Sequence, residues 1–406
     1  MKLLRNHIID HGVDLTPGEE SSAKFNQQIF FDMLKKDDKD IKLCPKVNVS
    51  SISVTGAARQ KVRPAAQLLS ARVAHALVRL SDESSRDVNQ KLSKFISTVD
   101  KWFDVMNSRE ATNNLKKWKS GYGQTLEIQD AVLDEMCHYA ENLRVGSRKH
   151  LLPFQQGILM SSRALKSLRQ YVSMRFNMTY ILTHRLNQDC LESFLSRVCG
   201  ADGYKDNPTA LEAKHRMRLL LVGTSRGDVI NSNCAGGATE DVNADTVTSS
   251  VFGDLSQGIY TPQSTQESEI STSLSCSEED ALNYIAGYVA YKFKHKIPGI
   301  TKSESPVNSW TTQISLGHLA HASDDWLELC HKLEVSFRKV CGEGVPKNFT
   351  MKQLERSIPV EIGAYHEAAS FYMRCRLHAR IKHLNKDIIQ QRLAKRQHKK
   401  NLHFTS

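Results

Sequence analysis

What the chain lacks narrows the field first. No apolar run approaches the roughly 18 residues a membrane-crossing helix needs, and the opening MKLLRNHIIDHG holds no apolar stretch of signal-peptide length. A soluble intracellular protein is expected. Nine cysteines are scattered with no Cys-x-x-Cys pair, which supports neither a disulfide framework nor a zinc-finger spacing. No Gly-x-x-x-x-Gly-Lys-Ser/Thr occurs, so any nucleotide site is not a P-loop. No internal repeat is visible, and strand signals are few: Asn48–Val54 alternates weakly and Tyr180–Thr183 is short.

What is present is an ordinary globular composition, 406 residues with 40% apolar and 24% charged, which excludes wholesale disorder. Fifty-five Lys+Arg against 44 Asp+Glu give a net charge of +11 and a pI near 9.1, a balance suited to a polyanionic partner. The charge is unevenly placed. Residues 227–280 hold ten acids and no Lys or Arg, whereas residues 374–406 hold ten Lys+Arg and one acid. The acidic stretch is rich in Ser, Thr, Asn and Gly without amphipathic period, and reads as a disordered linker over 227–279.

Helical periodicity dominates elsewhere. Ala65–Leu80 follows Pro64 and aligns Leu69, Val73, Ala76, Leu77 and Leu80. Val88, Leu92, Phe95, Ile96, Val99 and Phe103 continue the 3.6 period in a second helix. Further helices are predicted near 125–144, 153–176, 209–222, 279–296, 312–341 and 361–400. The fold class is mainly α.

Two sites suggest chemistry. In residues 183–222, Leu191, Phe194, Leu195 and Val198 form one stripe expected to be buried, and Asp189 and Glu192 lie three apart on its flank. Paired carboxylates suit Mg²⁺ or Mn²⁺, although a metal site needs at least one further acid. Asp-x-x-Glu before an apolar run is equally a capping box, with Asp189 as N-cap. The second candidate is His318 and His321 with Cys330, His331 and Cys341, readable as a zinc cluster or as reduced buried cysteines and surface histidines.

The run RLNQDCLESFLSRV, followed by G-x-x-x-NPTALEAKHRMRLLL, resembles the signature of the P-element transposase family, which includes the THAP-domain transposase relatives. Gln188-Asp189-Cys190-Leu191-Glu192 and Asn207-Pro208-Thr209 carry the match. The resemblance implies a segment closing an RNase H-like (α/β) catalytic domain. Glu192 would then be the last acid of a DDE triad, Asp189 its neighbour, and both metal-binding. KLLRNHIIDHG, LCPK at Leu43–Lys46, QKVRPAAQLLS at Gln60–Ser70 and FISTVDKWFDVMN at Phe95–Asn107 are similar to the family's helical GTP-binding insertion. ALNYIAGYVAYK, from Ala281, is similar to a C-terminal element. The implied division is insertion domain 1–178, RNase H-like segment 179–226, linker 227–279 and a helical C-terminal region 280–406.

The insertion carries its own physical sense. Phe103 and Asn107 share a helix face with Asp104 beside them. A carboxylate accepting from guanine N1–H and the exocyclic amine discriminates purines, and an aromatic face stacks on the base. The plain alternative makes Phe103 core and Asp104 solvated surface. By resemblance, Lys46, Lys61, Val62, Ser70, Phe103, Asp104 and Asn107 match the family's guanosine site, which implies GTP as a cofactor beside Mg²⁺.

The family's first two catalytic aspartates and its THAP finger precede the insertion, and Asp10 and Asp14 match neither aspartate. The chain is therefore expected to carry at most one acid of the triad plus a neighbour. It reads as the C-terminal portion of a DNA transposase, non-catalytic alone, acting on DNA with a guanine nucleotide in the nucleus, with self-association among its expected contacts. The alternative is a host-retained regulator that binds GTP or DNA without catalysis. The basic tail, with Leu377, Ile381, Leu384, Ile388 and Arg392 in one stripe, suits DNA phosphates, nuclear import or a solvated helix end.

Overall fold

The computed structural model describes residues 1–15, 24–148, 150–200, 208–223, 274–302, 309–315, 319–342, 344–345 and 350–385. Helices dominate, as the periodicity predicts, and they group into two compact units that interleave along the chain. The first unit takes residues 1–25, 56–70 and 94–239; the second takes 26–55, 71–93 and 240–406.

In the first unit, α1 (Lys2–His11) leads through Gly12 at φ 68 into β1 (Val13–Asp14). This strand sits between β2 (Lys24–Phe25) and β3 (Arg144–Val145), antiparallel to both, with Val13 opposite Phe25 and Val145. Such two-residue strands are too short to leave a period-2 signature. The helical body is α4 (Val62–Leu68), the later turns of α6 (Arg86–Met106), α7 (Leu126–Asn142) and α8 (Pro153–Phe176). Val105, Tyr122, Val132, Leu133 and Leu165 form a core cluster against which Trp102, Met106 and Trp118 pack. Phe95 stacks on Phe25 at 6.5 Å and meets Tyr139 edge-on at 5.1 Å.

Helix ends here are satisfied by side chains. Gln155, 1% exposed, donates to the Ala140 and Leu143 carbonyls at 2.8 and 2.9 Å, closing the C-terminus of α7. Two more helices follow, α9 (Asp189–Gly200) and α10 (Ala210–Gly223). Arg216 reaches back to the Val198 and Cys199 carbonyls at the end of α9. Thr209 and Glu212 exchange hydrogen bonds as a capping box that starts α10.

The second unit begins with α2 (Gln27–Lys36), capped by Asn26, and α3 (Val49–Ile52), capped by Asn48. The weakly alternating stretch Asn48–Val54 holds a helical turn instead, because the Asn48 side chain accepts from the Ser51 N–H and nucleates it. The single helix expected over Ala65–Leu80 is two: α4 ends at Leu68 and α5 (Ala71–Arg79) starts afresh, with Pro64 inside the first turn of α4. The remaining elements are α11 (Cys276–Phe293), β4 (Thr301–Lys302), α12 (Trp310–Ile314), β5 (His321–Ala322), α13 (Asp324–Cys341), α14 (Thr350–Arg356) and α15 (His366–Leu384). The helix predicted over 312–341 is interrupted by β5, which pairs antiparallel with β4.

Gly287 explains the Ala-Gly-Tyr run of α11. A Cβ there would collide with the carbonyl oxygen of Ala320. One residue earlier, the Ala286 carbonyl accepts from Trp326 Nε1 at 3.1 Å. Gly287 thus lets α11 and the chain before α13 approach backbone to backbone.

The tail helix differs from its predicted stripe. Ala368, Ala369, Tyr372, Met373, Cys375, Arg376 and Arg380 are the buried residues of α15, while Leu377, Ile381 and Leu384 are half-buried. Arg376 donates to both oxygens of Glu334, and Arg380 pairs with Asp40. Two of the tail's cations are internal partners for acids of the same unit rather than phosphate-facing groups. Ile388 and Arg392 lie outside the described residues.

Candidate nucleotide site and acidic pair

The last turn of α6 carries the densest set of candidate residues. Asp104 is half-buried there, its side chain 14% exposed. Its Oδ2 accepts from Lys116 Nζ at 2.9 Å and from Trp118 Nε1 at 3.3 Å. The indole of Trp118 lies under the Lys101 ammonium, 5.4 Å from ring centroid to Nζ. Asp104 is therefore neither solvated surface nor an isolated acceptor: the segment after α6 folds back and grips it.

That segment is preorganised. Asn113 Oδ1 accepts from the Leu115 and Lys116 N–H groups at 3.2 and 2.8 Å, and Ser120 Oγ accepts from Asn113 N at 2.9 Å. Gln129, fully buried, donates to the Ser120 carbonyl at 2.8 Å and accepts from Gly123 N at 2.9 Å. Lys116 and Trp118 were not legible as site residues, because twelve and fourteen residues of irregular chain separate them from Asp104.

Phe103 is half-buried, and its carbonyl accepts from Asn107 Nδ2 at 2.9 Å. Asn107 Oδ1 in turn accepts from Asn187 Nδ2 at 3.3 Å. Below this pair, Thr183 and Ser108 lock the chain leaving α8 onto the end of α6. Thr183 Oγ1 donates to the Val105 carbonyl at 2.6 Å and accepts from Ser108 N at 2.9 Å.

The other candidates are spread. Lys61 is the exposed N-cap residue of α4, and Val62, 37% exposed, is its first helical residue. Ser70 follows the end of α4 and spends its hydroxyl on the Gln67 carbonyl at 2.9 Å. These three belong to the same unit as Phe103, Asp104 and Asn107; Lys46 belongs to the second.

The acidic pair sits on α9. Asp189 is the first helical residue, one past the capping position assigned to it, since the Glu192 N–H is bonded to the Gln188 carbonyl at 2.9 Å. The Asp189 side chain lies outside the described part of the structure. Glu192 is exposed. The stripe expected to be buried is mostly open: Leu191 is 56% and Leu195 44% exposed, and only Val198, at 1%, is buried. Periodicity shows that a helix has an apolar face, not what covers it.

Among the described residues no group of three or more His, Cys, Asp or Glu is placed to hold a metal ion. Cys330 and Cys341 are buried, and His331 Nε2 pairs with Glu279 at 3.0 Å; His318 lies outside the described residues. Two carboxylates alone do not complete a Mg²⁺ site, and Glu192 is the described one of the pair. No helix among the described residues is long and apolar enough to cross a membrane.

Comparison with known proteins converges on one group. Residues 1–120 match the family described as TNP-like, GTP-binding insertion domain, and residues 254–309 match the one described as 87kDa Transposase. The transposable element P transposase of Drosophila melanogaster is 30% identical over 401 residues, an alignment covering 96% of this chain and 52% of that protein. This chain is similar to the P-element transposases over most of its length. The solved Drosophila P element transposase strand transfer complex matches in structure at a TM-score of 0.50 and 30% identity, over 57% of this chain and 50% of that one. The chain spans about half the length of the curated relative it matches.

Proposed function

We propose that this chain serves P-element-type DNA transposition as a guanine-nucleotide- and DNA-binding portion of the machinery, working in the nucleus. The observation that carries the reading is the Asp104 carboxylate at the end of α6, inside the stretch that matches a GTP-binding insertion domain. It is a half-buried acceptor beside a half-buried aromatic ring, the chemistry a guanine edge and face require. Phe103 and Asn107 would flank the base, while Lys61 offers an ammonium group for phosphate; Lys46 enters the set by resemblance alone. Val62 and Ser70 complete the proposed set. The similar Drosophila structure is a strand transfer complex, which supports DNA as the second ligand.

Glu192 and Asp189 are the acids proposed to belong to the catalytic centre. By resemblance they supply one acid of the triad and a neighbour, so this stretch of chain is proposed not to cleave DNA unaided. The second reading is a regulator that binds without catalysis. Purified protein mixed with labelled GTP and with duplex DNA tests both. Saturable GTP binding lost in Asp104→Ala, and salt-sensitive DNA retardation without nicking in Mg²⁺, are expected; absence of GTP binding would reject the nucleotide site, and Mg²⁺-dependent nicking would reject the non-catalytic assignment.

A further inference from the structure

We propose that Lys116 and Trp118 set the base selectivity of the Asp104 subsite, because they hold the carboxylate oxygen that a nucleobase has to win. The inference rests on the guanine reading above. Lys116 Nζ and Trp118 Nε1 both donate to Oδ2, at 2.9 and 3.3 Å, and no partner is found for Oδ1 among the described residues. A carboxylate oxygen has two lone pairs, so these two donors saturate Oδ2. A guanine paired through N1–H and its exocyclic amine needs both oxygens. It must therefore displace at least one internal donor, and it repays that loss with two donors of its own.

Other bases need no such exchange. Hypoxanthine brings N1–H alone, which Oδ1 accepts with both internal donors in place. Adenine brings one amine beside an N1 lone pair, which faces the carboxylate repulsively. The internal grip thus costs guanine alone, whose second donor needs Oδ2, and it holds the preference for guanine below what the bare carboxylate would give.

The competitor is itself well placed to persist. Trp118 packs against the Val105–Tyr122 cluster and lies under Lys101. The Asn113 side chain fixes the backbone that presents Lys116. Both donors therefore return to Asp104 without reordering a long loop, and the side chains alone need to move when a base arrives.

The test compares wild type, Trp118→Phe and Lys116→Met by competition with a fluorescent guanosine nucleotide, using GTP, ITP and ATP as probes. Melting temperature checks each variant's fold, and the second variant stands in if the first is destabilised. Removing one internal donor is expected to tighten GTP about two- to tenfold, the worth of a single hydrogen bond. ITP, whose single donor needs only Oδ1, is expected to change little, so that the preference for GTP widens. GTP binding that is no tighter in either folded variant, or an ITP gain equal to that of GTP, would overturn the proposal, leaving Lys116 and Trp118 as structural ties. If none of the three proteins binds any probe, the guanine reading fails first and this inference with it.

Discussion

Arg376 and Glu334 face each other in the core of the second unit, Nε donating at 2.6 Å to Oε2 and Nη2 at 2.7 Å to Oε1. Neither side chain is more than 2% exposed. Tyr372 adds a third donor at 3.2 Å and Arg338 a fourth at 3.1 Å, so all of the acid's capacity is used. Removing one member strands the other: Arg376→Met is expected to cost about 3–5 kcal/mol in denaturant unfolding. Replacing both, as Arg376→Met with Glu334→Leu, should recover much of that loss, since two apolar groups leave no buried charge.

Stability should peak in mildly acidic solution. Burial alone would raise Glu334, but Arg376 and Arg338 beside it hold it down at about 2. Its contribution is present above the ordinary carboxylate range and is lost as pH falls toward 2. Asp37 runs the other way. Burial pushes it up to about 6 against the opposing hydrogen bonds from Cys44 N and Leu43 N. Stability from Asp37 is complete below pH about 4 and is lost as pH rises through 6, by about 3 kcal/mol. Melting curves from pH 5 to 7 should fall, and Asp37→Asn should flatten that limb.

Gly287→Ala should be among the most damaging small substitutions. The added methyl meets the Ala320 carbonyl oxygen, which is backbone and cannot swing aside. A loss of about 1–3 kcal/mol is expected, read as a lowered melting temperature, whereas Gly157→Ala, in open space on α8, should be neutral or stabilising.

Thr183→Val keeps shape and removes the hydroxyl that joins Ser108 N–H to the Val105 carbonyl. An orphaned buried donor costs about 1–3 kcal/mol. Because the same tie steadies the end of α6, weaker guanosine-nucleotide binding should accompany the loss of stability; titration with labelled GTP checks it.

Legibility followed physics residue by residue. The apolar positions from Leu92 to Val99 recur every third or fourth residue and lie buried in α6 as predicted. The break at Leu69–Ser70 was hidden because the apolar period runs on across it. The weak alternation at Asn48–Val54 lost to a cap, a local hydrogen bond that periodicity does not register. Asp104 could be singled out from its setting on α6, but its partners could not. Arg376 and Arg380 read as surface charge because their acids, Glu334 and Asp40, are remote in sequence.

The interleaving of the two units has a consequence for shortened forms of the protein. A chain stopped near residue 240 would keep every segment of the first unit but also residues 26–55 and 71–93, which belong to the second. Arg79 would lose Asp280 and Arg72 would lose Tyr284. The apolar side chains of those segments would have no core to enter. Such products would be cleared by proteolysis or aggregate rather than persist as a free-standing half.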